Sequence, residues 1–171
     1  MLQTDRLDLL MLTREDLAVG LLSLPNLAKR LNLTLVPNLL TGVVRSAVEK
    51  KLLKMEGVPP DEAPWFTYWL IVIRAESIGA GTVGFKGLPN ALGEVEIGYG
   101  IDPQYQNKGY MTEAVKSMVT WAFKDPNCKV VTAILSAPGN FASHRVLEKS
   151  GFHKYYHAAD GLSFCIERPN A

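Results

Sequence analysis

The sequence contains little of what marks a secreted or metal-binding protein. Only two cysteines occur in 171 residues, Cys128 and Cys165, and their separation fits neither a disulfide framework nor a metal-ligand spacing. His153 and His157 are too isolated to supply the several converging ligands that a metal site needs. We therefore expect two free thiols in a reducing compartment and no metal.

Long hydrophobic runs and an excess of one charge are also missing. The longest apolar run, Trp69–Ile73, is far below the roughly 20 residues of a membrane helix. Asp5, Arg6 and Asp8 fall where a signal peptide would need an apolar core. The formal net charge is +1, so nothing in bulk favours nucleic acid or a membrane surface. We expect one cytoplasmic domain over residues 1–171, with neither kind of partner.

What is present is periodicity typical of a mixed α and β domain. Apolar residues recur at helical spacing from Gly109 to Lys124, which predicts an amphipathic helix. Thr13, followed three residues later by Asp16, is typical of a helix N-cap. The other predicted elements are helices over 41–55 and 140–150, strands over 7–12, 65–74, 77–87, 93–101 and 129–135, and a final hairpin closed at Asp160-Gly161.

One glycine-rich motif imitates a dinucleotide-binding fingerprint. Gly79–Gly84, GAGTVG, is a literal G-x-G-x-x-G, but that fingerprint must end a strand and open a helix. Gly87, Pro89 and Gly93 would break any helix that followed. We therefore interpret these glycines as strand or turn positions, or as points of close backbone approach.

The segment Gln104–Ala114, QYQNKGYMTEA, leads into the strongest predicted helix. The first turn of a helix exposes N–H groups without upstream acceptors, and the peptide dipoles add about half a positive charge there. Such a turn is suited to a diphosphate. Gly109 lets the backbone curl toward a ligand, while Lys108 and Gln106 supply a cation and amide donors. The alternative is a plain loop-to-helix junction.

With its surroundings, this segment resembles the GCN5-related N-acetyltransferase (GNAT) superfamily, RimJ/RimL-like branch. The acetyl-CoA signature Gln/Arg-x-x-Gly-x-Gly/Ala corresponds to Gln106–Met111, where Met111 replaces the usual small residue. The resemblance extends to TDRLDLLMLTREDL at the start, EIGYGID before the signature and NFASHRVLEKSGF after it. It implies an α+β GNAT fold, with a mostly antiparallel mixed sheet of about seven strands, a splay between strands four and five, and about four helices.

The resemblance also implies acetyl-CoA as donor and a primary amine as acceptor, either a protein N-terminal amine or a small molecule. A homodimer through a strand edge is common in the family. Asn140 would hydrogen-bond the pantetheine arm, with an ordinary N-cap as the alternative. Lys149 would lie near the adenosine, with a solvated lysine as the alternative. The arm would pair with backbone at Tyr99, Gly100 and Ile101, and the diphosphate would bind the amides of Gln106, Asn107, Lys108, Gly109, Tyr110, Met111 and Thr112.

Two residues are candidates for proton transfer. The attacking amine must be uncharged, so the site must remove a proton. Glu96 is the candidate base because its strand should be covered on both faces, where an unpaired carboxylate is costly; the alternative is a structural ion pair or an edge exposed to the substrate cleft. Many family members protonate the leaving thiolate with a tyrosine, but Leu147 occupies that position. Ser143 fits the RimL-like pattern and is the candidate acid, unless it bonds a carbonyl one turn back.

Two other functions stay open. A non-catalytic acyl-CoA-binding or regulatory module is compatible with Met111 and with the missing tyrosine. A nucleotide-phosphate enzyme would use the same anion site. The leading prediction is an acetyl-CoA-dependent N-acetyltransferase without a metal.

Overall fold

The computed structural model describes residues 1–134, 140–156 and 162–169, so His157 and the predicted turn at Asp160-Gly161 lie outside it. Within these residues the chain forms nine strands and six α-helices. The strands are β1 Leu2–Gln3, β2 Leu7–Met11, β3 Thr34–Leu35, β4 Trp69–Ile73, β5 Ile78–Phe85, β6 Glu94–Ile101, β7 Val130–Ile134, β8 His153–Tyr156 and β9 Leu162–Glu167. The helices are α1 Arg14–Leu22, α2 Leu24–Leu31, α3 Gly42–Lys54, α4 Ala63–Phe66, α5 Tyr110–Ala122 and α6 Phe141–Lys149.

The strands form one mixed, mostly antiparallel sheet, which confirms the predicted fold class. The strand order is β1-β2-β4-β5-β6-β7-β9-β8, and β3 pairs with β5. Only β3–β5 and β6–β7 are parallel. The expected seven strands and four helices were too few, because β1 and β3 have only two residues each and because α2 and α4 start at proline-containing turns.

A splay opens in the middle of the sheet, as predicted between the family's fourth and fifth strands, here β6 and β7. Their parallel pairing is confined to Glu94–Glu96 against Val130–Thr132. Beyond Glu96, β6 continues to Ile101 with β5 as its only paired strand among the described residues. The carboxyl half of β6 therefore borders a gap in the sheet.

Helix α5 packs on the sheet through the predicted apolar stripe. Its buried side chains include Met111, Ala114, Val115 and Met118. Full burial of such side chains contributes roughly 1.5–3 kcal/mol each. The stripe fixes the rotation of α5 about its axis and therefore where its first turn points.

An aromatic cluster fastens the other end of α5. The chain has three tryptophans, and the Trp121 ring lies 4.6 Å from that of Trp65 and 5.7 Å from that of Trp69, centroid to centroid. Phe85 packs against both Trp65 and Trp121. Trp65 and Phe66 were predicted as strand residues but lie in α4, because Pro64 is well placed in a first helical turn.

The G-x-G-x-x-G motif lies inside β5, where no helix follows, as the sequence indicated. A Cβ on Gly81 would meet the carbonyl oxygen of Gly100 at 2.3 Å. A Cβ on Gly84 would meet the carbonyl oxygen of Thr67 at 2.5 Å. These glycines permit close approach of neighbouring backbone and do not form a nucleotide loop.

Candidate active site

The loop from β6 to α5 presents a row of unpaired amides. Asn107 has φ 60° and Gly109, the N-cap of α5, has φ 82°, so two left-handed residues bend the chain within three positions. The amide of Gln106 donates to the Pro103 carbonyl. The six amides from Asn107 to Thr112 have no acceptor among the described residues, and no side chain caps the helix. These donors lie at the positive end of the α5 dipole, which suits an anion.

A cleft of about 640 Å³ adjoins these amides, between the end of β6, the first turn of α5 and the amino end of α6. Its volume lies in the usual range for small-molecule sites. Of the predicted cofactor residues, Lys108 is missing from the lining, and its ammonium lies 5.0 Å from the centre of the Tyr105 ring. The others all line the cleft: Tyr99, Gly100, Ile101, Gln106, Asn107, Gly109, Tyr110, Met111, Thr112, Asn140 and Lys149.

The edge of β6 that faces the gap has no strand paired with it beyond Glu96 among the described residues, although the Ile101 carbonyl accepts from Gln106 Nε2 at 3.4 Å. The Glu96 carbonyl accepts from the Lys86 amide, and the Asp102 amide donates to Ala80, so even-numbered residues of β6 face β5. By strand alternation, the backbone of Tyr99 and Ile101 faces the gap. The predicted pairing edge is therefore formed by Tyr99 and Ile101, whereas the backbone of Gly100 faces β5.

The amino end of α6 closes the opposite side of the cleft. Asn140 is the N-cap of α6, and its side-chain oxygen accepts from the Ser143 amide at 3.1 Å. The Ser143 hydroxyl has no hydrogen-bond partner within the described ranges, and the Ser143 carbonyl accepts from the Tyr99 hydroxyl at 3.2 Å. Burial raises the pKa of Tyr99, so its phenol stays protonated. Leu147 is fully buried in the core.

Glu96 is absent from the cleft lining. It points to the sheet face opposite Tyr99, and its carboxylate lies 2.5 Å from the Lys86 ammonium. The side chain is 20% exposed, so the expectation of an unpaired carboxylate buried on both faces is wrong. The cause is the register of the β5–β6 hairpin, which places Lys86 directly opposite Glu96. Its role as a base stays a prediction.

Sequence reasoning missed several cleft residues. Asp5 and Arg6 come from the turn before β2, about a hundred positions before the motif. Lys116 lies almost two turns into α5, and Arg145 lies about one turn into α6. A cation within the first two turns of a helix whose start borders the cleft is a usable signal. No local pattern in the sequence indicates that Arg6 lies in the cleft, because its position there depends on a tertiary contact.

Glu113 is a carboxylate in the first turn of α5, and it is fully engaged. Partial burial by itself would raise its pKa. Hydrogen bonds from the Thr4 hydroxyl and from the Arg6 amide and guanidinium outweigh that effect and hold the pKa below its ordinary value. Glu113 is therefore ionised at neutral pH and paired with Arg6.

The two thiols are free and buried, and they take no part in the cleft. Burial raises the pKa of Cys128 to about 11, so this thiol is a poor nucleophile. Among the described residues no group of three or more His, Cys, Asp or Glu side chains could hold a metal ion. No helix in that part of the chain has the length and apolarity to cross a membrane.

Comparison with known proteins identifies the family. The family model described as "Acetyltransferase (GNAT) domain" matches residues 6–153. The chain belongs to this GNAT family. A curated relative, the uncharacterized N-acetyltransferase YjdG of Bacillus subtilis (strain 168), is 33% identical over 87 residues, which cover 51% of each chain. The chain spans about half the length of the curated relatives it matches.

Solved structures share the fold. The ribosomal-protein-S5-alanine acetyltransferase of Vibrio fischeri has a TM-score of 0.66 at 19% identity, covering 99% of this chain and 97% of that one. RimL, a ribosomal L7/L12 alpha-N-protein acetyltransferase in complex with coenzyme A, has a TM-score of 0.64 at 17% identity, covering 96% and 95%. These likenesses establish the GNAT fold.

Proposed function

We propose that this protein is an N-acetyltransferase that moves an acetyl group from acetyl-CoA to a primary amine. The observation that carries the proposal is the row of six amides from Asn107 to Thr112, which have no acceptor among the described residues. All of these residues except Lys108 line the cleft beside the open edge of β6. Family membership gives independent support. We propose that residues 1–171 form a single acetyltransferase domain.

The lining of the cleft fits the parts of coenzyme A. The α5 amides would bind the diphosphate, with Lys116 and Arg145 adding positive charge nearby. The β6 edge at Tyr99 and Ile101 would bind the extended amide-containing arm as an added strand would. Met111 lines the cleft but is only 6% exposed and packs in the core, which supports a diphosphate position that its side chain leaves free.

Acetyl-CoA supplies a thioester whose carbonyl carbon an uncharged amine can attack. A β6 N–H facing the gap is suited to donate to the negative charge that develops on the carbonyl oxygen. Ser143, with an unengaged hydroxyl at the head of α6, is suited to donate a proton to the departing thiolate. Glu96 can accept the amine's proton, directly or through water, only if Lys86 releases it.

The proposal includes two classes of acceptor, a protein N-terminal amine and a small-molecule amine. RimL and the Vibrio fischeri enzyme, by their names, acetylate ribosomal proteins, which supports the first. We also propose that the protein is cytoplasmic. We further propose that it forms a homodimer, and gel filtration tests this oligomeric state. The Lys86–Glu96 ion pair supports the second candidate, a non-catalytic acyl-CoA-binding module, because it occupies the candidate base.

The deciding experiment measures thiol release from acetyl-CoA with a panel of peptides and small amines, alongside melting curves with CoA, ATP and NAD. The enzyme proposal predicts thiol release with at least one amine and stabilisation by CoA. Ligand at 100 times its dissociation constant adds about 2.7 kcal/mol, which a melt resolves. Stabilisation without thiol release would favour the binding module. Stabilisation by ATP or NAD but not by CoA would refute the assignment of the cleft.

Ser143→Ala tests the proton donor. We expect kcat to fall about tenfold or more while the Kd of CoA stays within about twofold, because the hydroxyl acts on the leaving group only. Thr120→Ala is the matched control, since that hydroxyl bonds the Lys116 carbonyl within α5 and is not among the cleft residues. An unchanged kcat in Ser143→Ala would remove Ser143 from the mechanism.

A further inference from the structure

Arg6 connects the start of the chain to the anion-binding loop. Its Nη1 donates to the Lys108 carbonyl at 2.9 Å, and its Nε and Nη2 each lie 2.7 Å from Oε2 of Glu113. Its guanidinium carbon also lies 4.7 Å from the centre of the Tyr110 ring. One planar side chain therefore contacts the loop, the first turn and the carboxylate of α5 at once.

These contacts orient the loop. Lys108 belongs to the segment whose amides are left unpaired, and its carbonyl is satisfied by Arg6. A Cβ on Gly109 would lie 3.2 Å from the Arg6 Nη2, so the guanidinium packs directly against the N-cap. Fixing the carbonyl of a peptide fixes the direction of the N–H on its other side, since the peptide is planar.

The same contacts remove an electrostatic conflict. A carboxylate one turn from a phosphate would repel it, and Glu113 lies in that turn. Arg6 pairs with this carboxylate through a two-nitrogen contact, and the Thr4 hydroxyl donates to its other oxygen at 2.6 Å. The Arg6 side chain is still 49% exposed, lines the cleft, and uses only three of its five N–H donors in these bonds.

We propose that Arg6 is a positioning residue for the diphosphate of the cofactor. It holds the Lys108 carbonyl so that the loop amides face the cleft, and it neutralises Glu113 so that the phosphates meet no net negative charge there. This inference rests on the proposed function, because it requires that coenzyme A occupy the cleft.

The test compares two acetyl donors with the chain of 171 residues. Acetyl-CoA contains the diphosphate, whereas S-acetylpantetheine contains the thioester arm without it. For Arg6→Ala we expect the Kd of CoA and the KM of acetyl-CoA to rise about ten- to hundredfold, the worth of one or two charge-assisted hydrogen bonds. We expect kcat at saturation, and kcat/KM with S-acetylpantetheine, to stay within about threefold.

Arg74→Ala is the matched control. Arg74 bonds the Thr4, Asp5 and Leu7 carbonyls and the Asp8 carboxylate, so it holds the same turn without touching α5. It should lower the melting temperature and leave the Kd of CoA unchanged. An equal loss with both donors in Arg6→Ala, or a CoA affinity like that of the wild type, would overturn the inference.

A second variant separates charge from folding. In the double variant Arg6→Ala/Glu113→Gln the unpaired carboxylate is gone, so part of the lost CoA affinity should return. A double variant that binds no better than Arg6→Ala would contradict the neutralising role. If Arg6→Ala does not fold, Arg6→Lys, which keeps the charge but loses the fork, should raise the Kd of CoA severalfold. Failure of the wild type to bind CoA would instead refute the proposed function.

Discussion

Replacing Lys51 with methionine tests a buried ammonium in α3. The Lys51 side chain is 7% exposed and has no acidic partner among the described residues. Its ammonium donates to the Phe66 carbonyl at 3.1 Å and to the Phe85 carbonyl at 2.5 Å, and it lies 4.6 Å from the centre of the Tyr68 ring. Methionine keeps most of the length and removes the charge.

The free energy that burial of the Lys51 charge costs can be estimated from the pKa of Lys51. Burial, assisted by the charges of Lys54 and Lys86, lowers the pKa of Lys51 from 10.5 to about 7. A fall of this size corresponds to about 5 kcal/mol. The figure is an upper bound, because the two carbonyls and the Tyr68 ring stabilise the ammonium; we expect about 2–5 kcal/mol.

Proton binding to Lys51 determines whether the free energy of unfolding rises or falls with pH. Between about pH 7 and 10.5 the unfolded chain holds a proton on Lys51 that the folded protein has released. The free energy of unfolding contributed by this group therefore rises with pH across that window. Below about pH 7 both states are protonated, and the cost of burying the charge is borne in full.

The assay is urea denaturation of wild type and Lys51→Met from pH 6 to 10. The wild type should gain on the variant by about 2–4 kcal/mol between pH 6 and pH 10, since all other groups titrate equally in both. Lys50→Met is the matched control, because Lys50 is the neighbouring lysine on α3 and is exposed; its curve should run parallel to wild type. Parallel curves for Lys51→Met as well would refute the reasoning.

Two further substitutions probe the loop and the first helix. Gly109→Ala imposes a Cβ at φ 82° and 3.2 Å from the Arg6 Nη2, so it should cost roughly 1–2 kcal/mol in denaturation and weaken CoA binding in calorimetry; unchanged values for both would contradict the role of the N-cap. Asp16→Asn removes a buried carboxylate that completes the Thr13 capping box and contacts Arg30 at 2.6 Å. Burial would raise the pKa of Asp16, but Thr13 and Arg30 hold it below 3.8, so its stabilisation is present above about pH 4 and is lost as the pH falls through the folded-state value. We expect a loss of about 1–2 kcal/mol at pH 7 and a smaller one at acid pH, measured by denaturation at both.

Local patterns predicted most of the fold. The stripe of α5, the Thr13 cap and the period-two strands β5 and β6 depend on residues a few positions apart, so the sequence alone sufficed. Helix α2 is not among the elements predicted from the sequence, because a proline within an apolar segment is typical of a helix break. Here Pro25 lies in the first turn, where a missing N–H breaks no hydrogen bond, and Ser23 caps that turn.

The candidate site likewise contains features that the local sequence predicts and features that it does not. Its unpaired amides follow from a short motif at a helix start, so they could be predicted. The Lys86–Glu96 pair depends on hairpin register, and the contact of Arg6 with Glu113 joins positions 107 residues apart. Neither the register of the hairpin nor the contact between Arg6 and Glu113 can be obtained from one sequence, because both depend on how distant elements pack against each other.

The contact of the Trp121 indole with both other indoles has a practical consequence for spectroscopy. Every tryptophan of the chain reports on one location, the junction of α4, β4 and the end of α5. The segment from β7 to β9 contains no tryptophan, and in the part of the chain that the structure describes it pairs with the rest of the sheet through three residues of β6, Glu94–Glu96. Intrinsic fluorescence during unfolding will therefore follow the part of the molecule that precedes β7, and a divergence from far-ultraviolet circular dichroism would reveal separate melting of the part from β7 onward.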